Sequence, residues 1–176
     1  ETGDRVALKV LSLRNQAAWK NIELFEREAQ VLAQLQHPGI PQYREYFSLD
    51  TEIDRTFCIA QQLAEGETLA QWVDRGWHGT EADIKQIALQ ILNILIYLHQ
   101  LKPLVIHRDI KPQNILLNSS NTSEDSTSQK SHFQVSLVDF GAVQQTYQST
   151  LARGSTIVGT FGYMAPEQYR GKSVPA

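Results

Sequence analysis

Residues 107–141 constrain the fold of this chain more than any other stretch. They contain two short apolar runs, ILL at 115–117 and VSLV at 135–138, whose length and β-branched content predict strands. Each run adjoins polar residues that a strand does not explain: HRDIKPQN at 107–114 precedes the first, and DFG at 139–141 follows the second. We therefore expect a β-hairpin that carries the chemistry at its open end.

The side chains at this open end have the types that phosphoryl transfer from ATP requires. The reaction needs a divalent metal, hard oxygen ligands to hold it, and a carboxylate to orient the attacking hydroxyl. We expect Asn114 and Asp139 to hold Mg²⁺ and Asp109 to orient the hydroxyl. Lys111 follows Asp109 by two positions and can approach the transferring phosphate as a mobile positive charge.

The order H-R-D-x-K-x-x-N followed by D-F-G resembles the catalytic loop and metal-binding motif of the protein kinases, and Lys111 is typical of their serine/threonine branch. GTFGYMAPE at 159–167 resembles the end of the family's activation segment, which would span 139–167. The resemblance covers nearly the whole chain except residues 118–132. It implies an α+β, bilobal fold: a partial, β-rich N-lobe over 1–61, a hinge at 62–66 and a partial, mainly helical C-lobe over 67–176.

A lysine and a glutamate near the N-terminus match the family's nucleotide-positioning pair. VALK at 6–9, in a predicted strand over 5–11, resembles the third strand, so Lys9 would contact the α- and β-phosphates and Ala7 would lie against the adenine ring. Residues 17–36 have helical periodicity, with one apolar face formed by Ile22, Phe25, Ala29, Leu32 and Leu35. Glu28 is the expected partner of Lys9, and Glu26 is the nearest rival.

The resemblance also places the adenine pocket. Two strands are predicted at 42–48 and 55–61, followed by QQLAEG at 61–66, which resembles the hinge. Gln61 would guard the back of the pocket, and the backbone of Gln62 and Ala64 would hydrogen-bond adenine. Leu116 is assigned to the nucleotide-contacting residues on the same basis.

Two helices and one disordered loop are predicted in the C-terminal part. A short helix covers 68–75. A longer one covers 81–100, opened by Thr80 and Asp83 in a relative of the capping box, with enough apolar residues to predict burial on most sides. Residues 118–132 have no large apolar side chain, so we expect a disordered insertion at the hairpin tip, with a phosphorylation-dependent docking site as the weaker alternative.

The activation segment suggests how the site is completed and regulated. By resemblance, Thr160 supports Asp109 and Lys111 and helps to seat the substrate. Arg108 precedes the catalytic aspartate, an arrangement that in the family couples activity to phosphorylation of this segment, because arginine pairs with phosphate. Thr156 is the first choice of phosphosite, and the alternatives are Ser155, Thr150 and Ser149.

Composition excludes other classes of protein and of site. The chain is 41% hydrophobic and 20% charged with a net charge of −3, so nucleic acid is not an expected partner. No run approaches the roughly 18 apolar residues of a membrane span and no signal peptide is visible, so we expect a cytoplasmic protein. Cys58 is the only cysteine, which excludes an internal disulfide, and we expect it to be buried in a strand.

The length of 176 residues is short for a kinase domain, which needs about 250. The family's glycine-rich loop and its later C-lobe helices have no counterpart in the sequence, so we expect part of a longer kinase or a truncated product that is inactive alone. The favoured function is Mg²⁺- and ATP-dependent phosphorylation of serine or threonine in a protein substrate. The alternatives are a non-catalytic scaffold or nucleotide-binding module of the same fold and a small-molecule phosphotransferase, while Lys111 disfavours a tyrosine kinase.

Overall fold

The computed structural model describes residues 3, 5–13, 19–51, 54–120, 132–146 and 159–169. Within them the chain forms β1 (Val6–Ser12), α1 (Trp19–Leu32), β2 (Tyr43–Asp50), β3 (Arg55–Gln62), β4 (Glu67–Thr68), α2 (Leu69–Asp74), α3 (Glu81–Gln100), β5 (Leu104–Ile106), a 3-10 turn (Pro112–Asn114), β6 (Ile115–Ser120), β7 (His132–Leu137), β8 (Gln144–Thr146) and α4 (Pro166–Tyr169). The expected mixture of a β-rich N-terminal part with helices is confirmed.

The N-terminal part is an antiparallel sheet of order β1-β3-β2, and α1 contacts its strand β2. Side chains of β1 alternate between exposed and partly buried, as a strand with one covered face requires. Lys9 therefore lies on the covered side, opposite Ile59 of β3. Cys58 is buried in β3, as expected.

Helix α1 buries the predicted apolar face, including Phe25 and Leu32, but it ends earlier than the expected residue 36. After Leu32 the backbone tightens into i→i−3 bonds, from Gln34 N to Val31 O and from Leu35 N to Leu32 O. Leu35 is still buried because this turn keeps it against the core. The apolar periodicity therefore overstated the length of the helix at its C-terminal end; residues 17 and 18 lie outside the described residues.

Helix α3 begins at the predicted capping box, in which Thr80 and Asp83 exchange side-chain and backbone hydrogen bonds. The prediction that α3 is buried on most sides was wrong. Among its apolar residues Ile87, Ile94 and Leu98 are buried, whereas Ile84, Leu89, Leu92 and Ile96 are about half exposed. Apolar density alone does not say which faces of a helix have neighbours.

The predicted hairpin is formed by β6 and β7, which pair antiparallel from Ile115 with Leu137 to Ser120 with His132. The expected disordered insertion at 118–132 was therefore too wide, because residues 118–120 and 132 belong to the paired strands. Strand pairing satisfies the backbone groups of these polar residues, a gain that composition does not reveal. Residues 121–131 lie outside the described residues.

Backbone groups on the outer edge of β7 form hydrogen bonds with residues outside the hairpin. Gln90 of α3 donates to the Phe133 carbonyl over 2.8 Å and accepts from the Val135 N–H over 3.1 Å. Leu137 N–H donates to the Gly39 carbonyl over 2.8 Å. Phe133 is buried, edge-on to both Trp72 and Trp77 at 5.5 and 5.7 Å between ring centroids. These contacts hold the hairpin against α3 and α2 and so fix the position of its open end.

No helix in the described part of the chain is both long enough and apolar enough to cross a membrane.

Candidate active site

The open end of the β6–β7 hairpin brings Asp109, Asn114 and Asp139 together. Val138 N–H donates to the Asn114 carbonyl over 2.9 Å, which joins the two sides just before Asp139. The buried Asn114 donates from Nδ2 to the Asp109 carbonyl over 2.8 Å and to the Asp109 carboxylate over 3.1 Å. Since the amide nitrogen is occupied in this way, its oxygen is the atom that Asn114 can offer to a cation.

Lys9 crosses from the N-terminal sheet to this open end. Its Nζ lies 2.8 Å from both carboxylate oxygens of Glu28 and 2.7 Å from Oδ1 of Asp139. Burial acts to lower the pKa of Lys9, but the Glu28 and Asp139 carboxylates outweigh it and leave that pKa raised. The lysine is therefore charged at neutral pH. Glu26, the rival candidate, instead accepts a 3.4 Å hydrogen bond from the Tyr46 hydroxyl.

Asp109, Lys111 and Thr160 form a closed triangle of hydrogen bonds. The Thr160 hydroxyl donates to Oδ1 of Asp109 over 2.6 Å and accepts from Lys111 Nζ over 2.7 Å, while Lys111 lies 2.8 Å from Oδ2 of Asp109. Burial acts to raise the pKa of Asp109, but Lys111, Thr160 and Asn114 together hold that pKa below its usual value. The carboxylate is therefore kept ionised and oriented.

His107 connects the catalytic loop to the strand before Asp139. Asp109 N–H donates to its Nδ1 over 3.3 Å, so the proton of the neutral ring is on Nε2, which lies 3.3 Å from the Val138 carbonyl oxygen. Burial lowers the pKa of His107 to about 4, which matches this neutral form. Phe140 covers the ring with a centroid distance of 4.7 Å.

Two non-glycine residues of the site have left-handed backbones: Arg108, with φ 66°, and Asp139, with φ 62°. Such conformations cost energy and persist where surrounding contacts hold them. The Arg108 side chain supplies one such contact, because its Nε donates to the Ala142 carbonyl over 2.6 Å. Arg108 directly precedes Asp109, and Asp139 is itself a predicted metal ligand, so both strained residues lie at the predicted active site.

The residues assigned to the adenine pocket lie on β1, β3 and β6 and in the segment that follows β3. Ala7 faces Gln61 across the β1–β3 pair, and Leu116 of β6 is paired with Thr68 of β4, which follows the predicted hinge at 62–66. Gln62 N–H donates to the Gln42 carbonyl over 2.7 Å, so a ligand contact through the Gln62 backbone falls to its carbonyl oxygen. Ala64 is partly exposed in the segment that follows.

The residues present fit a magnesium ion that is shared with a nucleotide. Asp139 keeps nearly half of its side-chain surface exposed, and it and Asn114 offer the hard oxygens that Mg²⁺ prefers. A magnesium ion bound with a nucleotide takes few ligands from the protein and the others from phosphates and water. Gly141 preserves the space, since a Cβ there would lie 3.0 Å from Lys9 Nζ and 3.3 Å from Oδ1 of Asp139.

Two further observations concern the activation segment and the residue that directly follows it. Thr156, Ser155, Thr150 and Ser149 all lie outside the described residues, so the phosphosite stays a prediction. Gln168 was missed by sequence reasoning, yet its side chain donates to the Arg108 carbonyl over 3.0 Å. The partner is a backbone atom 60 residues away, which leaves no pattern in the sequence that could have found it.

Comparison with known proteins agrees with this geometry. A family model described as "Protein kinase domain" matches residues 1–175. "Serine/threonine-protein kinase B" of Synechocystis sp. is 38% identical over 88% of this chain and 25% of its own length. "Serine/threonine-protein kinase cds1" of Schizosaccharomyces pombe is 32% identical over 98% of this chain and 34% of its own. "Probable serine/threonine-protein kinase PknB" of Lactococcus lactis is 31% identical over 97% and 25%.

The chain thus spans between a quarter and about a third of the length of these three relatives. The family match, by contrast, covers almost every residue of the chain, including those that form the triangle around Asp109 and the Lys9 pair. The chain belongs to the protein kinase domain family.

Proposed function

We propose that the protein carrying this sequence is a serine/threonine kinase that transfers the γ-phosphoryl group of Mg²⁺-ATP to a hydroxyl of a protein substrate. The single observation that carries the proposal is the triangle of Asp109, Lys111 and Thr160, set beside Asn114 and Asp139. A non-catalytic scaffold does not need these side chains to lie together, whereas phosphoryl transfer needs all of them at one site.

Each residue has a defined task in this proposal. Lys9, held by Glu28, binds the α- and β-phosphates, and Asn114 and Asp139 hold the metal. Magnesium, when bound, supplies charge neutralisation for the phosphate oxygens. Asp109 orients the acceptor hydroxyl and accepts its proton, since the low pKa of the carboxylate keeps it ionised. Lys111 places a positive charge beside the phosphate in transfer, while Thr160 holds both groups.

The adenine ring is bound by the hinge in this proposal. Ala7, Leu116 and Gln61 line the ring, and the Gln62 carbonyl and the Ala64 backbone hydrogen-bond it. Residues 1–61 then act as the N-lobe and 67–176 as the C-lobe, with ATP between them. Because ATP is the donor, we place the reaction in the cytoplasm.

The test is a radiolabelled-ATP assay on the protein that carries this sequence, with peptides that contain serine, threonine or tyrosine. We expect Mg²⁺-dependent label on serine and threonine, and its loss in Asp109→Asn. Asp74→Asn, at the exposed C-terminal end of α2, is the matched control and keeps full activity.

Two results would overturn the proposal. One is label transfer that survives Asp109→Asn undiminished. The other is a wild-type protein that binds Mg²⁺-ATP and transfers no phosphate to any peptide or to itself, which is the behaviour of a nucleotide-binding scaffold.

A further inference from the structure

Residues at the end of the activation segment, and the residue that directly follows it, contact the catalytic loop. Thr160 bonds to Asp109 in the triangle described above. Gly159 packs so closely that a Cβ there would lie 2.9 Å from the Arg108 carbonyl oxygen. Gln168 donates to that same oxygen from Nε2 over 3.0 Å. The contacts of Gly159 and Gln168 therefore converge on one backbone oxygen, that of the residue before Asp109.

The peptide unit between Arg108 and Asp109 is held at both ends by side chains. Its carbonyl accepts from Gln168, and its N–H donates to Nδ1 of His107 over 3.3 Å. This peptide is bonded directly to the Asp109 Cα, so its orientation sets the direction in which the carboxylate leaves the backbone. The left-handed φ of 66° at Arg108 makes external support necessary, since a residue with a Cβ does not favour that conformation.

Gln168 is itself fixed by its own short helix. Its Oε1 accepts from the Ala165 N–H over 3.1 Å, and its backbone N–H donates to the Ala165 carbonyl over 3.0 Å. The carboxamide thus accepts from the start of α4 and donates to the catalytic loop. This double task suits glutamine, because a carboxamide carries both a donor and an acceptor, whereas a carboxylate carries acceptors alone.

We propose that Gln168 is a positioning residue for phosphoryl transfer: its carboxamide ties α4 to the Arg108 carbonyl and so holds Asp109 in the orientation that meets the acceptor hydroxyl. The inference rests on the proposed kinase function and adds a residue to it. Gln168 acts through the backbone and not on the phosphates, so its loss lowers kcat and leaves the KM for ATP unchanged. Seating of the activation segment and orientation of Asp109 are then coupled, since α4 begins inside the segment that contains Thr160.

Two substitutions distinguish the bond to Arg108 from the bond to Ala165. Gln168→Met keeps the length of the side chain and removes both bonds. Gln168→Glu keeps an acceptor for the Ala165 N–H but puts an oxygen where the donor to Arg108 was. We expect both to lower kcat about tenfold, equivalent to about 1.4 kcal/mol. Gln100→Ala, an exposed amide at the end of α3, is the control and keeps full kcat.

The assay is steady-state phosphorylation of a peptide substrate by the full protein, with kcat expressed per ATP-binding site counted by nucleotide titration, so that unfolded molecules do not contribute. Gln168→Glu with wild-type kcat would overturn the inference, since the bond to the Arg108 carbonyl would then not be needed. So would wild-type kcat in Gln168→Met, or a change confined to the KM for ATP. An inactive wild type, or an active Asp109→Asn variant, would instead contradict the proposed function, so the two failures are distinguishable.

Discussion

Thr160 provides the sharpest test of the triangle around Asp109, because one hydroxyl serves both charged partners. Thr160→Val keeps the size and branching of the side chain and removes the 2.6 Å bond to Asp109 and the 2.7 Å bond from Lys111. Lys111 keeps its direct contact with Asp109 at 2.8 Å, so the triangle loses one corner. Hydrogen bonds to charged groups contribute about 1.5–3 kcal/mol, and a loss of about 2 kcal/mol corresponds to a roughly 30-fold lower kcat.

The pH dependence of kcat in Thr160→Val gives a second, independent test of the Thr160–Asp109 hydrogen bond. The Thr160 hydroxyl is one of the groups that hold the pKa of Asp109 below its usual value, so its removal raises that pKa. In the proposed reaction Asp109 acts as an ionised carboxylate. The acid limb of the kcat profile in Thr160→Val should therefore move to higher pH than in the wild type.

The assay is steady-state kinetics at saturating Mg²⁺-ATP from acid to neutral pH. Thr160→Ser is the matched control, because it restores the hydroxyl and should recover most of the wild-type kcat. Two results would refute the reasoning: wild-type kcat in Thr160→Val, or a loss in Thr160→Ser as large as that in Thr160→Val.

Three further predictions follow from the described contacts. Glu28→Gln should raise the KM for ATP about tenfold, or about 1.4 kcal/mol, because Lys9 loses its ion pair with Glu28. Glu26→Gln should leave that KM unchanged. Steady-state kinetics with a peptide substrate would measure both. Phe133→Ala should lower the free energy of unfolding in urea by about 3–5 kcal/mol, since the ring is buried, and a loss under about 1 kcal/mol would contradict its packing. His107 has a pKa of about 4 in the folded protein against 6.5 in the unfolded chain, so its protonation should lower the free energy of unfolding by roughly 3 kcal/mol as the pH falls from 6.5 to 4. Urea titrations should show that the free energy of unfolding of His107→Gln falls less steeply with decreasing pH than that of the wild type. Equal pH dependence in the two proteins would refute this prediction.

Local patterns predicted much of the fold, because their physical causes are local. The capping box at Thr80 and the apolar face of α1 depend on neighbours within a few positions, and both are present. The hairpin was found from two short apolar runs. Its length was not, because strand pairing extends over the polar residues 118–120, whose backbone bonds do not depend on side-chain character.

The remaining differences concern contacts between distant parts of the chain. Whether α3 is buried on one side or on most sides depends on neighbours that its own sequence does not name. The resemblance to the family selected Glu28 over Glu26, and Glu28 is the glutamate that Lys9 contacts. Gln168 had no such periodic signal, since its partner is the main-chain oxygen of Arg108.

The proposed metal site is tested most directly by calorimetric titration of the protein with ATP, in the presence and absence of Mg²⁺, for the wild type and Asp139→Asn. If Asp139 and Asn114 hold a metal that is shared with the nucleotide, Mg²⁺ should tighten ATP binding to the wild type and have little effect on the variant. An Asp139→Asn protein whose ATP affinity responds to Mg²⁺ as strongly as the wild type does would contradict the assignment of this site.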